Sequence, residues 1–330
     1  MPASAWAGAL IASAALQGFR IRCMRPVFEW NLGSRSLQLG KRTLIMGVVN
    51  VTPDSFSDGG LYYERERAVE HAIELLEDGA DIIDVGGEST RPGARVVTGE
   101  NRGEPLSADA QAEVRRTVNE AEELKRVIPV IQSLKRARSD AIVSIDTYKS
   151  AVARAAIEAG AEIVNDVSGL RWDRQMTRTL KALKCGLVLM HMRGLPEEWR
   201  TLPPAEDVVL LVKRELRDCA DAALTEGLRR ERLVLDPGFG FGKSFEENYP
   251  LLKRFEEFRD LRYPLLVGVS RKSFLGRALA RNGKDRAVHD RVCGTIAMET
   301  ALILKGAHII RTHDVRASAD ARKIADIVAS

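Results

Sequence analysis

The chain has 330 residues, 45% of them hydrophobic and 29% charged, with a formal net charge of +4. That balance belongs to a soluble protein with a large core, and so mild a charge excludes a general nucleic-acid footprint while leaving an anionic substrate compatible. Four cysteines, Cys23, Cys185, Cys219 and Cys293, contain no closely spaced pair, which excludes a CxxC metal or redox motif and fits free thiols in a reducing cytoplasm.

Residues 1–23 open the chain with an apolar run at 5–16 that has no basic residues before it and is too short for a bilayer. They are expected to be an extension outside a fold spanning 24–330. Eight β-type runs follow, at 44–50, 81–86, 141–146, 162–166, 186–191, 232–236, 264–270 and 308–313. Most are continuous Val/Ile/Leu stretches, the mark of parallel strands covered on both faces. Helical stripes lie between them: Val69, Ala72, Ile73 and Leu76; then Val114, Val118, Ala121, Leu124, Ile128 and Ile131; then Val152, Ala155, Ala156 and Ala159; then 207–224. Gly79, Gly160 and Gly227 stand where C-terminal caps are expected. The polar segment 97–121 reads as a surface insertion that enters the second helix at Ser107 or Asp109. An apolar helix between Gly294 and Gly306 suggests packing, with a second subunit as one candidate. Strand–helix alternation repeated eight times predicts one closed (β/α)8 TIM barrel, with a doubly wound open sheet as the rival.

Barrel enzymes place their chemistry at the C-terminal ends of the strands. There the sequence has Asn50, the 86–91 loop, Asp146, Asn165, Asp166, His191, Asp236, 270–272 and 311–313. Asn50 can offer a neutral oxygen to Mg²⁺ or serve as a turn residue. Thr90 and Arg91 can donate to an anion, whereas Asp84, inside its strand, is expected to hold that loop. Asp146 and Asn165 suit a heterocycle carrying N–H donors and ring-nitrogen acceptors, although Asp146 alone could cap a helix. The run 235–244, LDPGFGFGKS, fails the spacing of both a P-loop and a dinucleotide fingerprint. Asp236 reads better as a grip on an N–C–N edge. Lys272 supplies a point charge, Ser273 begins a helix, and Arg311 and His313 share one face of the last strand, on the side where barrels bind phosphate. No HExxH and no nucleophile elbow occur.

The stretches MGVVNVTPDSFSDGG, DIIDVGGESTRPGA, SIDTYK, EIVNDVSG, MHMRG, LDPGFGFGK, GVSRKSFLG and RTHDV, spread over about residues 44–315, resemble the bacterial dihydropteroate synthases in content and order. The resemblance implies condensation of (7,8-dihydropterin-6-yl)methyl diphosphate with 4-aminobenzoate, giving 7,8-dihydropteroate and pyrophosphate. It further implies that Asp146, Asn165, Asp236 and Lys272 hold the pterin, that Asn50 contacts Mg²⁺, and that Thr90, Arg311 and His313 lie near the diphosphate. Phe56, Arg91, Pro92 and Ser273 would frame the aminobenzoate pocket, and the family implies a homodimer. Two rivals share part of this pattern. A pterin-binding methyltransferase would need Asp146, Asn165 and Asp236 but not the diphosphate set, and a non-catalytic paralogue should have lost loop residues that are present here.

Overall fold

The computed structural model describes residues 25–51, 61–88, 118–199 and 201–329. Eight parallel strands form the centre: β3 (Leu44–Asn50), β4 (Ile82–Gly86), β5 (Ile142–Asp146), β6 (Ile163–Asp166), β7 (Gly186–Met190), β8 (Leu233–Asp236), β9 (Leu266–Val267) and β10 (Ile309–Thr312). They are hydrogen-bonded in the order β8-β7-β6-β5-β4-β3-β10-β9. The ring closes where Leu265, just before β9, bridges Leu235 of β8, with the Leu235 N–H donating to Pro264 at 3.0 Å. The chain is therefore a (β/α)8 barrel, and the open-sheet alternative falls. The seventh strand is shorter than the run 264–270 suggested, because the chain turns out of the sheet soon after Val267.

Strand side chains alternate inward and outward. Ile45, Ile83, Val143, Val164, Leu187, Leu235 and Ile310 face the helices and join one large buried core. Leu44, Met46, Ile82, Ile163, Val188, Val234, Leu266 and Ile309 face the barrel axis. The inward set meets an element absent from the expectations, an antiparallel hairpin of β1 (Phe28–Asn31) and β2 (Ser36–Leu39). Its Trp30, Leu32 and Leu39 are wholly buried against the lower barrel, and the Trp30 indole donates to the Arg232 carbonyl at 2.8 Å. The hairpin seals the N-terminal end, so the open end of the barrel is the one bearing the polar residues.

The helices are α1 (Leu61–Glu77), α2 (Glu120–Ala137), α3 (Ser150–Glu158), α4 (Met176–Ala182), α5 (Val208–Thr225), α6 (Asn248–Lys253), α7 (Ser273–Ala278), α8 (Val292–Leu304) and α9 (Val315–Ala329). The long second helix is described from Glu120, where Asn119 is extended and its side chain caps the Glu122 N–H at 2.9 Å; the expected entry at Ser107 or Asp109 lies outside the described residues. Gly294 lies inside α8 rather than ahead of it. Gly79, Gly160 and Gly227 follow helices with positive φ, as expected. Residues 1–23, and all of 97–121 before Val118, lie outside the described residues.

Candidate active site

Counting by twos up each strand explains the site. Above the apolar layer, the next inward positions are Asp84 on β4, Asn165 on β6, Asp236 on β8 and Arg311 on β10, with Asn50 and Asp146 ending β3 and β5. Strand register places Asn50 beside Gly86, Gly86 beside Asp146, and Asp146 beside Asn165. The expected pterin and metal residues thus share one mouth.

Asp84 lies at the centre of this group. It is wholly buried, and one of its oxygens accepts from Arg311 Nε at 2.6 Å and from Asn165 Nδ2 at 3.1 Å. The other end of the Arg311 guanidinium donates to Asp146 at 2.6 Å. Asp84 therefore holds two site residues rather than the second loop, which corrects the expectation made for it. By engaging the Asn165 amino group it also turns the amide oxygen away, leaving that residue an acceptor for a ligand N–H. Burial pushes the Asp146 carboxyl up, to about 7, against the pull of Arg311.

Asp236 opens the glycine-rich loop. One of its oxygens accepts the Gly238 N–H at 2.7 Å, and burial raises its pKa. Gly238 has φ +67°, and a β-carbon there would stand 1.9 Å from the His191 carbonyl oxygen, so the position admits only glycine. Nothing in the glycine-rich motif singles out Lys243. It lies buried beneath the loop and donates to the carbonyls of Gly238 at 2.7 Å, Phe241 at 3.0 Å and His191 at 3.3 Å. His191, also left without a role, is a joint of this loop. Its N–H donates to the Asp236 carbonyl at 2.8 Å, its Nε2 lies 3.0 Å from Glu215, and burial drives its pKa down to about 3. A neutral imidazole so placed supports the fold and carries no positive charge at neutral pH.

Lys272 reaches over the same loop. Its ammonium donates to the Phe239 carbonyl and stands 4.1 Å from the Phe241 ring centroid. Burial lowers its pKa to about 7, with Asp236 opposing and Arg311 assisting. His313 is exposed at the rim, with its Nδ1 3.1 Å from Ser270 Oγ. Ser273, the first residue of α7, is exposed there as well. Phe56, Thr90, Arg91 and Pro92 lie outside the described residues. At the foot of the second loop, buried Lys149 pairs with Glu88 at 2.7 Å and with Glu123 of α2 at 2.5 Å, an anchor that the motif SIDTYK contained but did not announce.

The chain that folds into this barrel, with its carboxylate and amide floor, matches the model of the pterin binding enzymes over residues 46–104 and 106–313. It belongs to that family. Its relatives include the dihydropteroate synthase of Clostridium beijerinckii, 40% identical over 90% of this chain and 98% of the relative, and that of Escherichia coli K12, 39% identical over 87% and 92%. Among solved structures, a Xanthomonas albilineans dihydropteroate synthase with 4-aminobenzoic acid superposes with a TM-score of 0.78 at 39% identity, covering 92% of this chain and 98% of that one. The same enzyme in complex with 7,8-dihydropteroate superposes at 0.75, with 37% identity over 91% of this chain and 98% of that one.

Proposed function

We propose that this chain is a dihydropteroate synthase, which joins (7,8-dihydropterin-6-yl)methyl diphosphate to 4-aminobenzoate and releases pyrophosphate. The observation that carries this reading is the pairing of an inward acceptor set, Asp146, Asn165 and Asp236, with a set of nitrogen donors, Lys272, Arg311 and His313, at one mouth. The acceptors suit the N–H edge of a pterin, and the donors suit a departing diphosphate. A methyltransferase would have no use for the second set.

In this reading the bond between the methylene carbon and the diphosphate oxygen breaks, and its electron pair leaves on the oxygen. Arg311 and His313 stabilise that growing charge, and Lys272 bridges the pterin and diphosphate sides. The amine lone pair of 4-aminobenzoate forms the new C–N bond, and the nitrogen then loses a proton to water. The arylamine is nucleophilic at neutral pH, so no general base is required. Thr90 completes the diphosphate contacts, while Phe56, Arg91, Pro92 and Ser273 frame the second substrate.

Mg²⁺ fits the donor set. The oxygens of Asn50 and Asp146 lie 3.8 Å and 3.7 Å from the place where a β-carbon on Gly86 would stand, so they border the same small space. Among the described residues no group of three His, Cys, Asp or Glu side chains could hold a metal by itself. Asn50 would hold Mg²⁺ together with diphosphate oxygens and water, the way this ion is commonly bound, and the ion would offset charge on the leaving group.

A homodimer is part of the same proposal. Ile324, Ile327 and Val328 recur at helical spacing on α9 with 64%, 71% and 69% exposure, an apolar stripe that a monomer has reason to cover. We place the protein in the cytoplasm, in keeping with the free thiols of Cys185, Cys219 and Cys293; no described helix is long and apolar enough to cross a membrane. The test of the activity is pyrophosphate release from the pterin diphosphate with and without 4-aminobenzoate. Aminobenzoate-dependent release is expected, and its absence from folded protein overturns the reading.

A further inference from the structure

Arg271 has φ +56°, the left-handed region that side chains other than glycine rarely adopt. The Lys272 N–H donates back to the Val269 carbonyl at 3.3 Å, so residues 269–272 make a reverse turn with Arg271 in its third position. That position, with positive φ, ordinarily belongs to glycine. Such a residue persists only where its surroundings over-determine it.

Here they do. The Arg271 N–H donates to Thr295 Oγ1 at 3.0 Å, and its carbonyl accepts from Arg291 at 2.8 Å. Its guanidinium grips Asp314 through two bonds, at 3.0 and 2.5 Å. The preceding residue, Ser270, accepts the His313 N–H at 3.1 Å. Two consecutive residues of the loop after β9 thus hold two consecutive residues of the loop after β10. Directly after this double link comes Lys272, whose ammonium reaches the Phe239 carbonyl, and two residues before its other half is Arg311, whose guanidinium reaches Asp84 and Asp146.

We propose that Arg271 is a positioning residue for the transfer reaction, its left-handed turn aiming Lys272 at the pterin while its pairing with Asp314 fixes the loop that carries His313. A glycine would adopt the turn without strain but would leave only the Ser270–His313 contact between the two loops. Arginine accepts the strain and joins the pterin side of the site to the diphosphate side. The inference rests on the proposed activity for the word transfer, but its geometric content concerns pterin binding.

The test therefore reads binding and turnover separately in Arg271→Ala, Arg271→Gly and Asp314→Asn, each checked for folding by thermal melting. Pterin affinity is measured as a function of pH, and pyrophosphate release as kcat and KM. The alanine variant has neither the link nor the backbone freedom, and it is expected to weaken pterin binding and to blur the loss of affinity that accompanies deprotonation of Lys272. The glycine variant regains the turn and should recover about tenfold in affinity over alanine, the ratio set by the cost of a left-handed non-glycine residue. Asp314→Asn keeps the turn residue, so it should spare pterin affinity and lower kcat. Equal affinities and unchanged pH curves in all four proteins would overturn the proposal, even if melting temperatures fell. Failure of the wild type to release pyrophosphate would instead strike the activity reading and leave the affinity comparison valid.

Discussion

Asp84→Asn separates the role of the central carboxylate from mere packing, because the replacement keeps the shape and an oxygen while removing the charge. In the wild type, Asp84 is fully buried and holds Arg311 at 2.6 Å and Asn165 at 3.1 Å through a single oxygen. Its second oxygen is buried with no hydrogen-bond partner. Breaking a buried ion pair outright costs about 3–5 kcal/mol. Arg311 keeps Asp146 at 2.6 Å, so the loss should be nearer that of one charge-assisted hydrogen bond, about 2 kcal/mol. If Arg311 needs that bond to face the leaving diphosphate, the same energy appears in kcat/KM as a loss of about 30-fold. The Asn165 amide also loses the carboxylate that sets its orientation, so KM for the pterin diphosphate should rise. The assay is steady-state pyrophosphate release, with thermal melting on the same preparations. A variant that melts several degrees lower yet keeps kcat/KM within about twofold would show that Asp84 serves the fold alone, and the reasoning would fail.

Two further expectations follow from buried titrating groups. Lys272 has its pKa lowered from 10.5 to about 7 by burial, so the free enzyme loses this cation as pH rises through about 7. The profile of kcat/KM, which reports the free enzyme, should fall on that limb, and Lys272→Gln should be less active with the limb removed. For stability the sign is opposite: the unfolded chain holds the extra proton between about 7 and 10.5, so this group's contribution grows over that window. Glu299 on α8 is buried, with one oxygen accepting from Ser318 at 2.6 Å and the other without a hydrogen-bond partner, and burial raises its pKa from 4.5 to about 7. Here the folded state holds the extra proton, so stability falls as pH rises from 4.5 to about 7. Glu299→Gln should remove that fall and stabilise the protein at pH values above about 7 by roughly 3 kcal/mol, read from melting temperature against pH, and no gain there would refute it.

How far the site could be read in advance turns on where each residue's partner lies. Asp146, Asn165, Asp236 and Arg311 end runs of Val, Ile and Leu, and a continuous apolar run with a polar residue at its C-terminal end is visible one segment at a time. The barrel followed from repeating that pattern eight times. Asp84 was placed in the right strand but given the wrong task. Its alternation with Ile82 and Gly86 put it on the inward face, yet its partner Arg311 is 227 positions away, and only the closure of β3 against β10 brings them together. The hairpin 28–39 was missed for a related reason. Its strands are four residues long and bury Trp30, Leu32 and Leu39 against side chains from eight separate strands, a surface that exists only after the barrel has closed. Arg271 defeats sequence reasoning most completely, since a reverse turn with positive φ is sought at glycine or asparagine, and the run Ser-Arg-Lys-Ser offers roles for Lys272 and Ser273 but none for the residue before them. What makes arginine tolerable there is Asp314, after the last strand, and Arg291 and Thr295, at the start of α8, both distant from it in the chain. Residues that touch substrate can be seen from the end of one strand, whereas the residues that hold them become visible only when the strands are neighbours.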